Sequence, residues 1–232
     1  MQKPRILLVD DHAIVLDGLT RLLEPDFQVV GKAVDGRAML EMADALNPDI
    51  IVSDISMPLL NGIEAMRLLK ERGSRAKVLF LSMHADVELA SAALRAGASG
   101  YVLKHSAAET LGRAIREALA GRVYVSPRIS IDVHAAVQQT SRQSDYSGVA
   151  LTQREREVLQ LVAEGRTIQG IANILDIACR TVVFHKTNLM DKLGLRTTAE
   201  LTYYAVQCGL LAPPEPLFVR DATTERAAAA SA

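Results

Sequence analysis

Short apolar runs alternate with helical patterns over the first half of the chain. Ile6-Leu7-Leu8-Val9, Gln28-Val29-Val30-Gly31, Asp49-Ile50-Ile51-Val52-Ser53, Val78-Leu79-Phe80-Leu81 and Gly100-Tyr101-Val102-Leu103 are too short for helices and read as strands. Between them the spacing becomes that of amphipathic helices. Val15, Leu19, Leu22 and Leu23 form one stripe, and Ile63, Met66, Leu69 and Lys70 form another, which Gly73 stops. About 23 to 45 residues separate the polar ends of successive strands, room for a helical crossover each time, so the strands are expected to run parallel. Five strands and five helices by about residue 120 predict an α/β doubly wound five-stranded parallel sheet.

The pattern changes after Gly121. The stretch from Val125-Ser126-Pro127 to Ala136 predicts one short helix, and Gln138 to Gly148 is polar with almost nothing to bury, a flexible linker by composition. Thr152-Gln153-Arg154-Glu155 has the spacing of a capping box and opens a helix with the apolar stripe Val158, Leu159, Leu161 and Val162, up to Gly165. A second helix carries Ile171, Ala172 and Leu175, a third runs from about Cys179 to Leu193, and Thr197-Thr198-Ala199-Glu200 opens a fourth. Helix, short turn and helix in this order suggest a small all-α helix-turn-helix domain. After Ala212 come Pro213, Pro214 and Pro216 and then Ala227 to Ala232, a tail without a packing pattern that is expected to be disordered. The expected organisation is a first domain over 1–122, a linker containing the short helix over 123–148, the helical domain over 149–212 and the tail over 213–232.

Composition narrows the setting. A chain of 232 residues exceeds what one compact domain usually needs. The start, Met1-Gln2-Lys3-Pro4, leads into a strand and does not resemble a signal peptide, and no apolar run approaches the roughly 20 residues of a membrane span. Cys179 and Cys208 lack metal-ligand spacing and cannot build a disulfide framework. A soluble, cytoplasmic protein without membrane contact is expected. The formal charge of −1 argues against strong nonspecific affinity for nucleic acid but leaves room for a local DNA face.

Candidate chemistry gathers where strands end. The first run stops at Asp10-Asp11, the third at Asp54, the fourth at Ser82 and the fifth at Lys104, and in an open parallel sheet ligands bind at the carboxyl ends of the strands. A single aspartate in such a place often only caps the next helix. Two adjacent carboxylates are harder to explain that way, because they repel unless a cation offsets them. Hard oxygen ligands of this kind suit Mg²⁺, which keeps several waters and takes one or two carboxylates plus a phosphate oxygen.

Asp10-Asp11, Asp54 with Met57-Pro58 and Asn61-Gly62 behind it, Ser82 and Lys104 together resemble the receiver domain of two-component response regulators, over residues 4 to about 120. The resemblance implies a flavodoxin-like fold, Asp54 as phospho-acceptor, and Mg²⁺ held by Asp10, Asp11, Asp54 and the backbone carbonyl of Ser56. It further implies Ser82 as the switch hydroxyl, Lys104 as the partner of the phosphoryl group, and Tyr101 at the switch aromatic position. The chemistry is consistent, since a carboxylate can take a phosphoryl group from a phosphohistidine and the dispersed charge of the transferring group is met mainly by cations and positioning. The added charge then biases a two-state arrangement.

The second half resembles the LuxR-type DNA-binding domain in Leu151-Thr152-x-Arg154-Glu155-Arg156-Glu157-Val158-Leu159, Ile171-Ala172-x-x-Leu175, Thr181-Val182-x-x-His185 and Lys192-Leu193. Paired with a receiver, it is similar to the NarL/FixJ group of response regulators. Three residues depart from that pattern: Ala178 stands where a capping serine is usual, Gly170 where an acid is common, and Val183 where lysine is frequent on the base-facing side. Projection of the third helix puts Val182, Leu189 and Leu193 on the core face and Arg180, Val183, Phe184, Thr187 and Asn188 outward, with Lys186 and Lys192 suited to phosphates. Packing of Val183 and Phe184 against the receiver or a second subunit is the alternative to groove contact. His185 beside the core stripe is a structural or phosphate-contacting residue rather than a metal ligand. Seven basic residues against six acidic ones between 150 and 212 leave little net charge, so binding is expected to need a dimer.

The resemblance thus implies a transcription regulator rather than an enzyme, apart from its own aspartyl phosphorylation and dephosphorylation. Its implied partners are a sensor histidine kinase, double-stranded promoter DNA, RNA polymerase and, on phosphorylation, a second copy of the chain. An aspartyl-phosphate phosphatase or phosphotransferase is the competing class, but it predicts Asp-x-Asp-x-Thr/Val where this chain has Asp10-Asp11-His12-Ala13. A DNA-binding regulator that works without phosphorylation is the third reading, and acetyl phosphate would separate it from the first.

Overall fold

The computed structural model describes residues 2–83, 85–139, 151–208 and 210–211. The polar linker beyond Gln139 and the tail beyond Leu211 lie outside the described residues.

The amino-terminal unit runs β1 (Arg5–Val9), α1 (Ala13–Leu23), β2 (Gln28–Ala33), α2 (Gly36–Leu46), β3 (Ile50–Asp54), α3 (Gly62–Glu71), β4 (Lys77–Ser82), α4 (Val87–Arg95), β5 (Gly100–Leu103), α5 (Ala107–Leu119), β6 (Tyr124–Val125) and α6 (Pro127–Gln139). The sheet has the order β2-β1-β3-β4-β5-β6, and every pairing is parallel. Alternation along the strands divides the core into two layers. Leu7, Val9, Ile51 and Phe80 point to the layer under α2, α3, α4 and α6. Ile6, Leu8, Val52, Leu79 and Leu81 point to the layer under α1 and α5. The strand order reverses between β1 and β3, so the crevice of the doubly wound sheet opens at their carboxyl ends.

Two details differ from expectation. In α1 the buried stripe is Leu16, Leu19 and Leu23, while Leu22 is exposed. The first unit also does not stop at residue 122. Tyr124 and Val125 pair with β5 as a sixth strand, the Ser126 amide donates to the Tyr101 carbonyl at 2.9 Å, and the Ser126 hydroxyl accepts from the Leu103 amide at 3.0 Å. The predicted short helix is α6, and its Ile129 and Val133 are buried in the core of this unit. Two buried apolar residues one helical turn apart make it a helix of the sheet domain rather than a linker.

The second unit is α7 (Gln153–Ala163), α8 (Ile168–Leu175), α9 (Cys179–Leu193) and α10 (Thr198–Gln207) around one core. Both capping boxes form, Thr152 with Glu155 and Thr197 with Glu200. α8 ends on Asp176 in the left-handed conformation, and α9 ends on Gly194. α9 begins at Ala178 with no side-chain cap, as the missing serine implies. Among the described residues no helix is long and apolar enough to cross a membrane.

Candidate functional site

The crevice gathers the strand-end residues. Asp54 closes β3 and is only 8% exposed. Its Oδ1 accepts from the Ile55 amide at 2.6 Å and its Oδ2 from Lys104 Nζ at 2.6 Å. Lys104 Nζ also donates to Asp10 Oδ2 at 2.7 Å, so one ammonium bridges the ends of β1, β3 and β5. Burial pushes the Asp54 carboxyl above its ordinary range, Lys104 offsets part of that, and the Asp10 charge adds to it. Burial also works against the charge on Lys104, but Asp54 and Asp10 outweigh it and hold the ammonium above its usual value.

The local sequence explains why Asp54 sits there. The Asn61 side chain caps α3 by accepting from the Glu64 amide at 3.0 Å. The Gly62 amide donates to the Ile55 carbonyl at 2.8 Å, and a β-carbon on Gly62 would lie 2.3 Å from the Asp54 carbonyl oxygen. Asn61-Gly62 therefore folds the loop back against the end of β3, and only glycine fits that approach.

Asp10 and Asp11 meet a residue that sequence reasoning did not assign. His12 Nδ1 lies 2.9 Å from Asp11 Oδ1 and 3.3 Å from Asp10 Oδ1, and these three side chains form a cluster with metal-ligand spacing. Across the crevice three carboxylates face one ammonium. This excess of hard oxygen donors fits a divalent cation such as Mg²⁺. The signal for His12 was its position directly after the two aspartates.

Ser82 ends β4 and Tyr101 lies in β5, both buried. The Tyr101 hydroxyl is hydrogen-bonded to the Ser82 side chain, and burial pushes the phenol up to about 12.

The DNA-binding candidates lie on α9, away from this crevice. Arg180, Val183, Phe184 and Thr187 are exposed, Val183 by 49% and Phe184 by 60%, so the first unit does not cover them. Lys186 and Asn188 are half-buried, and Lys186 Nζ donates to the Thr198 hydroxyl at 2.9 Å. Lys192 pairs with Glu155 at 2.7 Å, so a phosphate at that position meets a lysine already engaged. Val182 and Leu189 are buried as projected, and Leu193 is half-buried.

The two units touch through the loop that follows Asp54. Gln160, buried in α7, accepts from the Asn61 amide at 2.9 Å and from Asn61 Nδ2 at 3.1 Å, and donates to the Met57 carbonyl at 2.9 Å. Glu164 Oε1 accepts from the Leu59 amide at 2.9 Å, and Arg156 Nε pairs with Glu64 at 2.7 Å. The sequence carried no signal for this seam.

Residues 6–116 match the response regulator receiver domain, and residues 149–205 match the bacterial regulatory proteins of the luxR family. The chain is 33% identical over 223 residues to the transcriptional regulatory protein DegU of Brevibacillus brevis, across 89% of this chain and 94% of DegU. It is 33% identical over 204 residues to the nitrate/nitrite response regulator protein NarL of Escherichia coli K12, across 87% of this chain and 94% of NarL. The solved structure of the Salmonella typhimurium RcsB response regulator matches with a TM-score of 0.60 and 28% identity, over 88% of this chain and 97% of that one.

Proposed function

The chain belongs to the NarL/FixJ-type two-component response regulators, a receiver joined to a LuxR-type DNA-binding domain, and on that premise we propose that Asp54 is its phospho-acceptor and that phosphorylation there controls DNA binding by α9. The observation that carries this reading is the single ammonium of Lys104 bridging Asp10 and Asp54 at the ends of three strands. Asp54 alone ends β3 there, with one oxygen held by backbone amides and the other by a cation.

An Asp54 oxygen attacks the phosphorus of a phosphohistidine on a sensor kinase. The donor P–N bond breaks, and the imidazole keeps the electron pair and takes up a proton. Asp10, Asp11, Asp54 and the Ser56 carbonyl would hold Mg²⁺, which when bound would supply charge neutralisation for the phosphoryl oxygens. Lys104 supplies a second cation at the same oxygens, and the amides of Ile55 and Ser56 fix the carboxylate. The phosphoryl group then draws the Ser82 hydroxyl, which is already bonded to Tyr101, so the aromatic residue registers the change. This self-directed phosphorylation and its reversal are the only catalysis assigned to the chain.

For DNA, Arg180, Val183, Phe184, Thr187 and Asn188 of α9 face the major groove, with Lys186 and Lys192 toward phosphates. A homodimer formed on phosphorylation pairs two weakly charged domains on one promoter, in the cytoplasm and within reach of RNA polymerase. Incubation with a small phosphodonor and Mg²⁺ is expected to add one phosphoryl group by intact mass, and Asp54→Asn to abolish it. Undiminished addition in the variant would overturn the assignment.

A further inference from the structure

The exposed side of α9 is apolar where a DNA-reading helix would make its central contacts. Arg180, Val183, Phe184, Thr187 and Asp191 fall at three- and four-residue steps and are all exposed, on the side opposite the buried Val182 and Leu189. Phe184 packs edge-on against His185, with ring centroids 5.8 Å apart and planes at 65°, which holds the ring in a defined position. The lysines that flank the stripe are engaged within their own domain, Lys186 with the Thr198 hydroxyl and Lys192 with Glu155. The stripe itself carries one positive charge, on Arg180, and one negative charge, on Asp191. Little on this face can hydrogen-bond a base edge between those two ends except Thr187.

We propose that Val183 and Phe184 recognise the C5-methyl group of thymine in the major groove, so that target half-sites are specified chiefly by methyl contacts. The proposal rests on α9 being the helix that reads DNA. All four bases present hydrogen-bonding groups in the major groove, and thymine alone adds a methyl group. An apolar side chain over guanine, adenine or cytosine takes water from donors and acceptors without replacing the lost hydrogen bonds, which is unfavourable. Over thymine the same side chain buries a methyl group against carbon, and that gain offsets the loss. Preference for thymine therefore comes from rejection of the other bases as much as from attraction.

A lysine at position 183 would do the opposite, because its ammonium pairs with guanine O6 and N7. Val183 exchanges a hydrogen-bonded readout for a hydrophobic one. Val183 and Phe184 point about 100° apart around the helix, so they cover different base pairs. Arg180 and Thr187 on either side supply the polar contacts.

The test uses the full chain, with and without Mg²⁺ and beryllofluoride, on a library of random DNA duplexes. The bound fraction is expected to be enriched in sites with thymine at fixed positions of each half-site. Each of those thymines is then replaced singly by deoxyuridine, which removes the methyl group and leaves base pairing and the protein unchanged. Affinity should fall about fourfold at each position that is read, the effect of burying one methyl group. Val183→Lys and Phe184→Ala should each erase the difference between thymine and uracil at one position and keep it at the other. Enriched sites without thymine, sites that bind equally well with deoxyuridine throughout, or a difference that survives in both variants overturn the methyl assignment. So does a Phe184→Ala chain whose self-association in sedimentation changes while its base preference does not, since Phe184 then belongs to a surface between copies. Loss of base preference in Arg180→Ala alongside any of these results leaves α9 as the reading helix, so the two readings fail separately. A library that enriches no sequence overturns both. The deoxyuridine comparison changes only the DNA and does not depend on the folding of any variant.

Discussion

Lys104 can neutralise only one of the three carboxylates that the crevice brings together, and the consequence is electrostatic strain. A carboxyl whose pKa rises on folding contributes stability that is present below its ordinary 3.8 and is lost as pH rises through the folded value. Because the crevice carries more carboxylates than cations, a divalent cation should stabilise the fold. Mg²⁺ at ten times its dissociation constant is expected to add about 1.4 kcal/mol. Asp11→Ala should remove most of that gain, because it deletes an oxygen donor without exposing the core. Calorimetry against a monovalent salt at matched ionic strength checks it, and an equal rise in both proteins would sink the metal assignment. That Asp54, the acidic pair and Lys104 meet in one crevice was legible in the sequence because each interrupts an apolar run at its end. Gln160 was not, because it lies between Leu159 and Leu161 and its partners are about a hundred residues away in the chain.

Helices show where periodicity is informative and where it falls silent. α7 through α10 follow from their stripes and capping boxes, and α9 spans Cys179–Leu193 as its pattern indicates. β6 is two residues long, too short to carry a period, and its role appears only in its pairing with β5. That short pairing nonetheless decides where α6 goes, because Ser126 ties its start to both Tyr101 and Leu103. At α9 the missing cap has a measurable price. Without a side-chain acceptor at Ala178, the amides of the first turn have no side-chain cap. Ala178→Ser should restore an acceptor worth about 1 kcal/mol, slowing exchange of those amides by about fivefold. Unchanged exchange at Arg180 and Thr181 would mean that packing by the core, and not the cap, sets the order of this helix.

Across the whole molecule the seam between receiver and DNA-binding domain is polar, and polar seams are poised rather than locked. A part-buried ion pair such as Arg156–Glu64 gains little net over its desolvation, and what is costly is to remove one partner alone. If Asp54 is the acceptor as proposed, phosphorylation adds roughly two negative charges at the start of the loop whose Leu59 amide Glu164 holds. Like-charge repulsion then favours release of α7, and by reciprocity whatever releases α7 favours the phosphorylated form. Val183 and Phe184 of α9 are exposed while the two units touch, so if α9 reads DNA as proposed, the limit on binding is pairing of two domains rather than a covered helix. The net positive charge of one domain is small, and tethering two raises the effective concentration at a second half-site. Mg²⁺ with beryllofluoride, a phosphoryl mimic, is therefore expected to shift the chain from monomer toward dimer in sedimentation and to tighten binding to a two-half-site promoter. Arg156→Glu should produce part of that shift with no mimic present. If the sedimentation profile and DNA affinity are the same with and without the mimic, the seam does not couple phosphorylation to assembly.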